Sequence, residues 1–134
     1  VWREWHLDKI LKKAYKNGTV MSGVSAGAIC WFQNGITDSW DSNLQIMPCM
    51  NFVKGTCCPH YDEEPERKPT VKELISKNKV KRIYAVDGGA ALHIKNEKNF
   101  KSVSFKNYKN AYEVTIDKNN VIENSFRKFS LVKK

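Results

Sequence analysis

Apolar residues follow a helical spacing at the start of the chain and a strand-like spacing in the rest. Residues 3–17 have apolar positions three and four apart, which predicts an amphipathic helix that Gly18 ends. Its apolar side consists of Leu7, Ile10, Leu11, Ala14 and Tyr15. Residues 19–24 form a short β-prone run and residues 26–34 a helix-prone one. The first third therefore predicts a β–α–β arrangement with a buried strand at 19–24.

The remaining pattern is irregular first and strand-like later. Residues 35–56 predict no regular element. Of their apolar residues, Met47, Met50 and Phe52 are expected in the core, and Trp40 is expected to line or cover a site. A capping box at Thr70–Glu73 predicts a helix to about residue 78. Short apolar or alternating runs predict strands at about 81–86, 90–95, 101–105, 111–116 and 121–126. The pattern predicts one α/β domain over residues 1–134, with antiparallel strands at its C-terminal end.

The most informative motif is Gly-Val-Ser-Ala-Gly at residues 23–27, here called the Ser25 turn. A serine between a strand and a helix is pushed out of the sheet, and the small flanking residues let the backbone turn sharply. Its hydroxyl then lies near unpaired backbone N–H groups that favour negative charge. Ser25 is therefore a candidate acyl-transfer nucleophile. The alternative is a buried serine in an ordinary glycine-rich turn.

A nucleophilic serine requires a base, and the chain has three histidines. His6 begins the first predicted helix, and His93 is expected to point outward from a strand. His60 follows Pro59, which stiffens the chain, and precedes an acidic loop. His60 is the best candidate base, and the alternative for it is a surface-loop histidine.

The base in turn requires a carboxylate that orients it, and Asp38, Asp41, Asp62 and Asp87 are candidates. Asp87 follows a buried apolar run and precedes two glycines, which is where α/β enzymes keep reactive side chains. Asp-Gly is also a hairpin signal, so Asp87 could instead begin a turn between two paired strands.

Four blocks together resemble the peptidase E (aspartyl dipeptidase) family of serine peptidases. They are Gly23–Phe32, Thr37–Ser39, Cys58–Asp62 and Ala85–Leu92, in the order found in the family. The resemblance implies Ser25 as nucleophile, His60 as base and Asp87 as the orienting acid, with Asp38 as the alternative acid. It also implies a three-layer sandwich of the class I glutamine amidotransferase-like type. The order Ser, His, acid differs from that of α/β-hydrolases.

Relative to the family, the chain resembles only the C-terminal two-thirds, with the first parallel strands missing. The resemblance gives Ala26 N–H as one oxyanion donor and puts the other in the missing part. Loss of one donor costs about 10²–10³ in turnover, so the resemblance leaves both an active and an inert fragment open even with an intact triad. The family's preference for an N-terminal Asp implies a cation after the Ser25 turn. Residues 33–38 contain none, so a strict Asp preference is not expected.

The charge and the cysteine content of the chain limit which binding partners and which cell compartment are expected. The net charge of +9 comes mainly from dispersed lysines without a nucleic-acid-binding motif, which argues against nucleic acid. No apolar run is long enough to cross a membrane. The vicinal Cys57 and Cys58 make a poor disulfide framework, which favours a reducing cytoplasm. The spacing of cysteines and histidines argues separately against zinc. No cofactor is expected. The expected partners are a short peptide substrate, and either a second copy or the missing N-terminal segment.

These features support two classes of function. The first is a serine peptidase that acts through an acyl-enzyme on Ser25. The second is a non-catalytic fragment or pseudoenzyme that keeps the fold as a binding module.

Overall fold

The computed structural model describes residues 4–39 and 43–130, and these form helices and two β-sheets. The helices are α1 (Leu7–Lys16), α2 (Ala26–Ile29) and α3 (Arg67–Ser76). The strands are β1 (Phe32–Thr37), β2 (Gln45–Pro48), β3 (Val53–Cys58), β4 (Ile83–Val86), β5 (Ala90–Lys95), β6 (Asn99–Ser104), β7 (Ala111–Asp117), β8 (Asn120–Ser125) and β9 (Lys128–Ser130). No helix within the described ranges is long and apolar enough to span a membrane.

The larger sheet has six strands in the order β2-β1-β3-β4-β7-β8. Its central strands β1, β3 and β4 are parallel, and the strands on either side are antiparallel to their neighbours. The smaller sheet has the order β5-β6-β9, with β5 and β6 antiparallel and β9 parallel to β6. The predicted α/β class and the C-terminal antiparallel pairs are confirmed. The carboxyl ends of β3 and β4 meet at one edge of the larger sheet.

The two faces of the larger sheet carry separate apolar clusters. On one face, Val71 and Ile75 of α3 pack with Ile83 and Val114 of the sheet. On the other face, Tyr84 packs with residues of the smaller sheet, and its ring stacks on Phe100 at a centroid distance of 4.9 Å. The vicinal cysteines divide between these clusters, Cys58 in the first and Cys57 in the second, because successive strand residues point to opposite faces.

Helix α1 forms and ends as its local sequence predicts. Gly18 adopts φ 91°, its N–H donates to the carbonyl of Tyr15, and the N–H of Thr19 donates to the carbonyl of Ala14. This is the Schellman arrangement that favours glycine after a helix. The amphipathic pattern does not bury a face within the described structure, because no residue of α1 is buried and Ile10 is 62% exposed.

The predicted buried strand at 19–24 is wrong. Residues 19–23 are irregular, and Val20 and Val24 are 87% and 84% exposed. A strand exists only where another strand accepts its backbone hydrogen bonds, and none of the described strands pairs with this run.

The predicted helix 26–34 and the irregular stretch 35–56 are also corrected. The helix ends at Ile29, and β1 begins three residues later because it pairs with β2 and β3. Sheet pairing thus overrides local helix propensity. Met50 is buried, and Met47 packs against the core, as predicted. Phe52 is half-buried beside the Trp31 ring. Trp40 lies outside the described residues.

Helix α3 begins before the predicted capping box. It starts at Arg67 after Glu66, which makes no side-chain capping bond, and Thr70 lies within its first turns. Pro69 is compatible with this start because the first backbone N–H groups of a helix have no internal partner. The predicted turn at 117–120 is confirmed: Lys118 and Asn119 have φ 47° and 69° between antiparallel β7 and β8.

Candidate active site

Ser25 occupies a strained turn. Its backbone has φ 53° and ψ −119°, a combination that L-residues rarely adopt. The turn is closed by backbone bonds in which Gly27 N–H donates to the carbonyl of Val24, and Ala28 N–H to that of Ser25, each at 2.9 Å. Gly23 approaches so closely that an added Cβ would lie 1.9 Å from the Gly27 oxygen. The first glycine of the motif is therefore required by the geometry of the turn.

Ser25 is exposed, and the first backbone amide of α2 lies beside it. Ser25 directly precedes Ala26, the first residue of α2. The N–H of a first helical residue has no partner within its own helix, so Ala26 N–H is available to a negative oxygen. This is the geometric basis for its expected role as an oxyanion donor.

Two side chains from the following residues brace the Ser25 turn. The Cys30 thiol donates to the carbonyl of Gly27 at 3.1 Å, and the Trp31 indole N–H donates to the carbonyl of Ser22 at 3.3 Å. Burial raises the pKa of the Cys30 thiol to about 11, so the thiol stays protonated and keeps its hydrogen to donate. Cys30 therefore supports the turn as a neutral group.

His60 lies just beyond the carboxyl end of β3, against the carboxyl end of β4. The contact between these ends has two hydrogen bonds. Tyr61 N–H donates to the carbonyl of Val86 at 3.0 Å, and Gly88 N–H donates to Asp62 Oδ1 at 2.8 Å. Asp62 also pairs with Lys109, so this candidate acid is engaged in holding the loop.

The imidazole of His60 pairs with a carboxylate that the sequence did not single out. Its Nδ1 lies 2.6 Å from Oε2 of Glu63, and the two side chains are 31% and 49% exposed. Sequence reasoning missed Glu63 because it considered aspartates alone. The available signal was the spacing of three residues within a turn, which brings the two side chains together.

Asp87 is buried at the end of β4, with only 5% of the residue exposed. Its Oδ2 accepts hydrogen bonds from Asn110 N–H at 2.9 Å and from the Tyr112 hydroxyl at 3.2 Å. Its Oδ1 is buried and has no partner among the described residues. Burial raises the pKa of the Asp87 carboxyl, and burial beside Asp87 raises the pKa of Tyr112 to about 12. Asp87 therefore has one oxygen that accepts two hydrogen bonds and one that accepts none from the described residues.

The hairpin alternative for Asp87 is wrong. Ala90 N–H donates to the carbonyl of Asp87 at 3.0 Å, which closes a turn, but β4 and β5 belong to different sheets. His93 is exposed on β5 and His6 is exposed before α1, as predicted.

The structure brings the segments of His60 and Asp87 together, but it does not join all three expected residues by hydrogen bonds. Within residues 4–39 and 43–130, Ser25 makes no side-chain hydrogen bond to His60, and His60 makes none to Asp87. Asp38, the alternative acid, is exposed after β1. The catalytic roles of these residues therefore stay predictions.

The stretch 33–38 contains no cationic residue, but the buried side chain of Arg67 lies against it. Arg67 is 4% exposed, donates to Glu64 Oε2 at 2.5 Å and reaches the carbonyl of Ile36 at 3.4 Å. The bond to Ile36 ties α3 to β1, whereas the pair with Glu64 is local to the start of α3. Sequence reasoning could not place Arg67 here because the contact spans 31 residues.

Comparison with known proteins identifies the family to which the chain belongs. The model of peptidase family S51 matches residues 1–102 of the chain. An uncharacterized peptidase of Bacillus subtilis (strain 168), YgaJ, is 45% identical over 123 residues, which cover 92% of this chain and 53% of that protein. The chain belongs to peptidase family S51, the peptidase E family, as its motifs predicted. It spans about half the length of this curated relative.

Proposed function

We propose that this chain carries the catalytic residues of a serine peptidase that hydrolyses short peptides through an acyl-enzyme. Ser25 is the nucleophile, His60 the general base and Asp87 the acid that supports the base. The observation that carries the proposal is the backbone of Ser25, at φ 53° and ψ −119° between two close glycines. Strain of this kind is retained where it presents a side chain for chemistry.

The proposed reaction begins when Ser25 Oγ attacks the peptide carbonyl while Nε2 of His60 takes its proton. The carbonyl oxygen becomes negative and accepts a hydrogen bond from Ala26 N–H. His60 then gives the proton to the departing amine as the C–N bond breaks. A water molecule, deprotonated by His60, attacks the acyl-enzyme. The ester bond to Ser25 Oγ breaks, His60 returns the proton to that oxygen, and the acid product leaves.

The role of Asp87 has support in its two oxygens. A buried acceptor without a partner costs about 1–3 kcal/mol, and a histidine N–H would relieve that cost at Oδ1. The other oxygen is fixed by Asn110 and Tyr112, so the carboxyl group is held in place for such a donor. Asp38 remains the alternative acid.

The finer expectations belong to the same proposal. They are a glutamine amidotransferase-like three-layer sandwich, a single catalytic domain over 1–134 and a cytoplasmic enzyme that needs no cofactor. Its partners would be a short peptide and a second copy or an N-terminal segment, without membrane or nucleic acid. Trp40 would contact neutral or apolar first residues of the substrate.

A second candidate is a binding module that keeps the fold without catalysis. It is favoured by the absence of a hydrogen bond between Ser25 and His60 in the described parts of the chain. Reactivity of Ser25 separates the two candidates, because a binding module has no need of an activated serine.

The test compares the wild type with Ser25→Ala in a chain extended to the length of the curated relative. We expect the wild type to cleave dipeptide amides and to form a covalent adduct with a fluorophosphonate on Ser25. The variant should lose several powers of ten in turnover while its unfolding curve is unchanged. A variant that keeps more than about a tenth of the turnover contradicts the assignment of Ser25. A folded wild type without adduct or turnover favours the binding module.

A further inference from the structure

Glu63 is the carboxylate that contacts the ring of His60 in this structure. The 2.6 Å separation between Nδ1 and Oε2 is that of a short, charge-assisted hydrogen bond. An ionised carboxylate can only accept, so Nδ1 must carry the hydrogen. The remaining ring nitrogen, Nε2, is then free to act as a base when the ring is neutral.

The backbone of the loop fixes this pair. His60 has φ 54°, and the N–H groups of Glu63 and Glu64 both donate to its carbonyl, at 3.1 Å and 3.4 Å. The chain therefore reverses immediately after the histidine, which brings side chains three positions apart to the same side. The pair is a consequence of the turn rather than of a chance approach between two surface side chains.

The neighbouring turn also makes room for Glu63. At Gly88, an added Cβ would lie 2.0 Å from both Cδ and Oε1 of Glu63. The carboxyl group of Glu63 thus lies directly over the Gly88 backbone, next to Asp87. A side chain at position 88 would push Glu63 away from the ring.

On this basis, and resting on the proposed Ser25–His60 chemistry, we propose that Glu63 is a positioning residue for His60. It holds the Nδ1–H tautomer and the ring orientation in the free protein. One ring hydrogen cannot serve two carboxylates at once, so Asp87 Oδ1 receives it only when the ring turns away from Glu63. His60 therefore has two carboxylate partners in turn: Glu63 in the free protein, and Asp87 once the ring has turned.

The test is long-range ¹H–¹⁵N NMR of the imidazole rings in the 134-residue chain, which requires no activity. In the wild type at a pH where the ring is neutral, His60 should show the Nδ1–H tautomer. Glu63→Ala should convert it to the Nε2–H form. Glu63→Gln should keep Nδ1–H, because an amide oxygen also accepts a hydrogen bond. His6 and His93 are exposed and serve as internal references, since neither ring has a hydrogen-bond partner within residues 4–39 and 43–130.

Glu66→Ala is the matched control, since Glu66 is an exposed acid near the same turn and makes no side-chain capping bond. It should leave the His60 tautomer unchanged. If Asp87→Asn converts the tautomer while Glu63→Ala does not, the inference is overturned in favour of Asp87 alone. An Nε2–H tautomer in the wild type overturns it as well. Neither result depends on peptidase turnover, so failure here is distinct from failure of the proposed function.

Discussion

Replacement of Gly23 by alanine should damage the Ser25 turn, whereas the same change at Gly27 should not. At Gly23, the added Cβ would lie 1.9 Å from the oxygen and 2.3 Å from the carbonyl carbon of Gly27. Both are backbone atoms, so no rotamer change can relieve the clash. Carbon atoms at rest are about 3.5–4.0 Å apart, so the two segments must separate by more than 1 Å, roughly.

The expected loss in the free energy of unfolding depends on where the added Cβ lies. Overpacking of this kind costs about 1–3 kcal/mol where the structure is held in place. At Gly27, which is in α2, no atom of the described residues lies within 4 Å of an added Cβ. Alanine there should change the free energy of unfolding by less than about 1 kcal/mol, in the stabilising direction.

Urea unfolding followed by far-UV circular dichroism measures the stabilities of Gly23→Ala, Gly27→Ala and the wild type. Fluorophosphonate labelling in the longer chain measures the reactivity of Ser25. We expect Gly23→Ala to lose labelling and stability together, or labelling alone if residues 19–23 shift to absorb the clash. The reasoning is refuted if Gly23→Ala keeps both, or if Gly27→Ala is equally damaging.

Two further predictions follow from the pKa shifts. Because burial raises the pKa of Asp87, its contribution to stability is full below the unfolded value of about 3.9 and falls as the pH rises. Asp87→Asn should therefore gain stability relative to the wild type between pH 4 and pH 7 in urea unfolding, and a relative loss would contradict this. Burial also raises the pKa values of Cys30 and Cys58 to about 11. At pH 8, iodoacetamide should alkylate both much more slowly in the folded protein than in urea, and equal rates would contradict their protonated state.

Features that depend on a few adjacent residues could be predicted from the sequence. The end of α1 required only the freedom of Gly18, and the turn at 117–120 required only residues that accept positive φ. The position of Asp87 followed from a short apolar run and two glycines. For the end of α1 and for the turn at 117–120, the deciding interactions lie within about five residues, so the local sequence contains them.

Features that depend on distant partners could not be predicted in the same way. Residues 19–24 have the composition of a strand, but none of the described strands pairs with them. Residues 32–34 have the composition of a helix, but they belong to β1, which pairs with β2 on one side and β3 on the other. The same applies to Asp87, whose Oδ2 is held by residues 23 and 25 positions away. Composition determines which element a segment can form, and pairing determines which one it does form.

The strongest sign of a functional site lies where the local rules are broken rather than where the motif matches. Ser25 adopts a backbone conformation that costs free energy, and Asp87 keeps a buried oxygen that no described residue hydrogen-bonds. A fold selected for stability alone has no need of either, and glycine at 25 would relieve the first. Asn51 also has an unpartnered buried oxygen, so an orphaned acceptor alone is not decisive. At Asp87 the orphan lies at the carboxyl end of β4, where Tyr61 N–H, next to His60, donates to the carbonyl of Val86, next to Asp87. On the proposed roles, this cost prepares an acceptor that His60 leaves empty while Glu63 holds its ring.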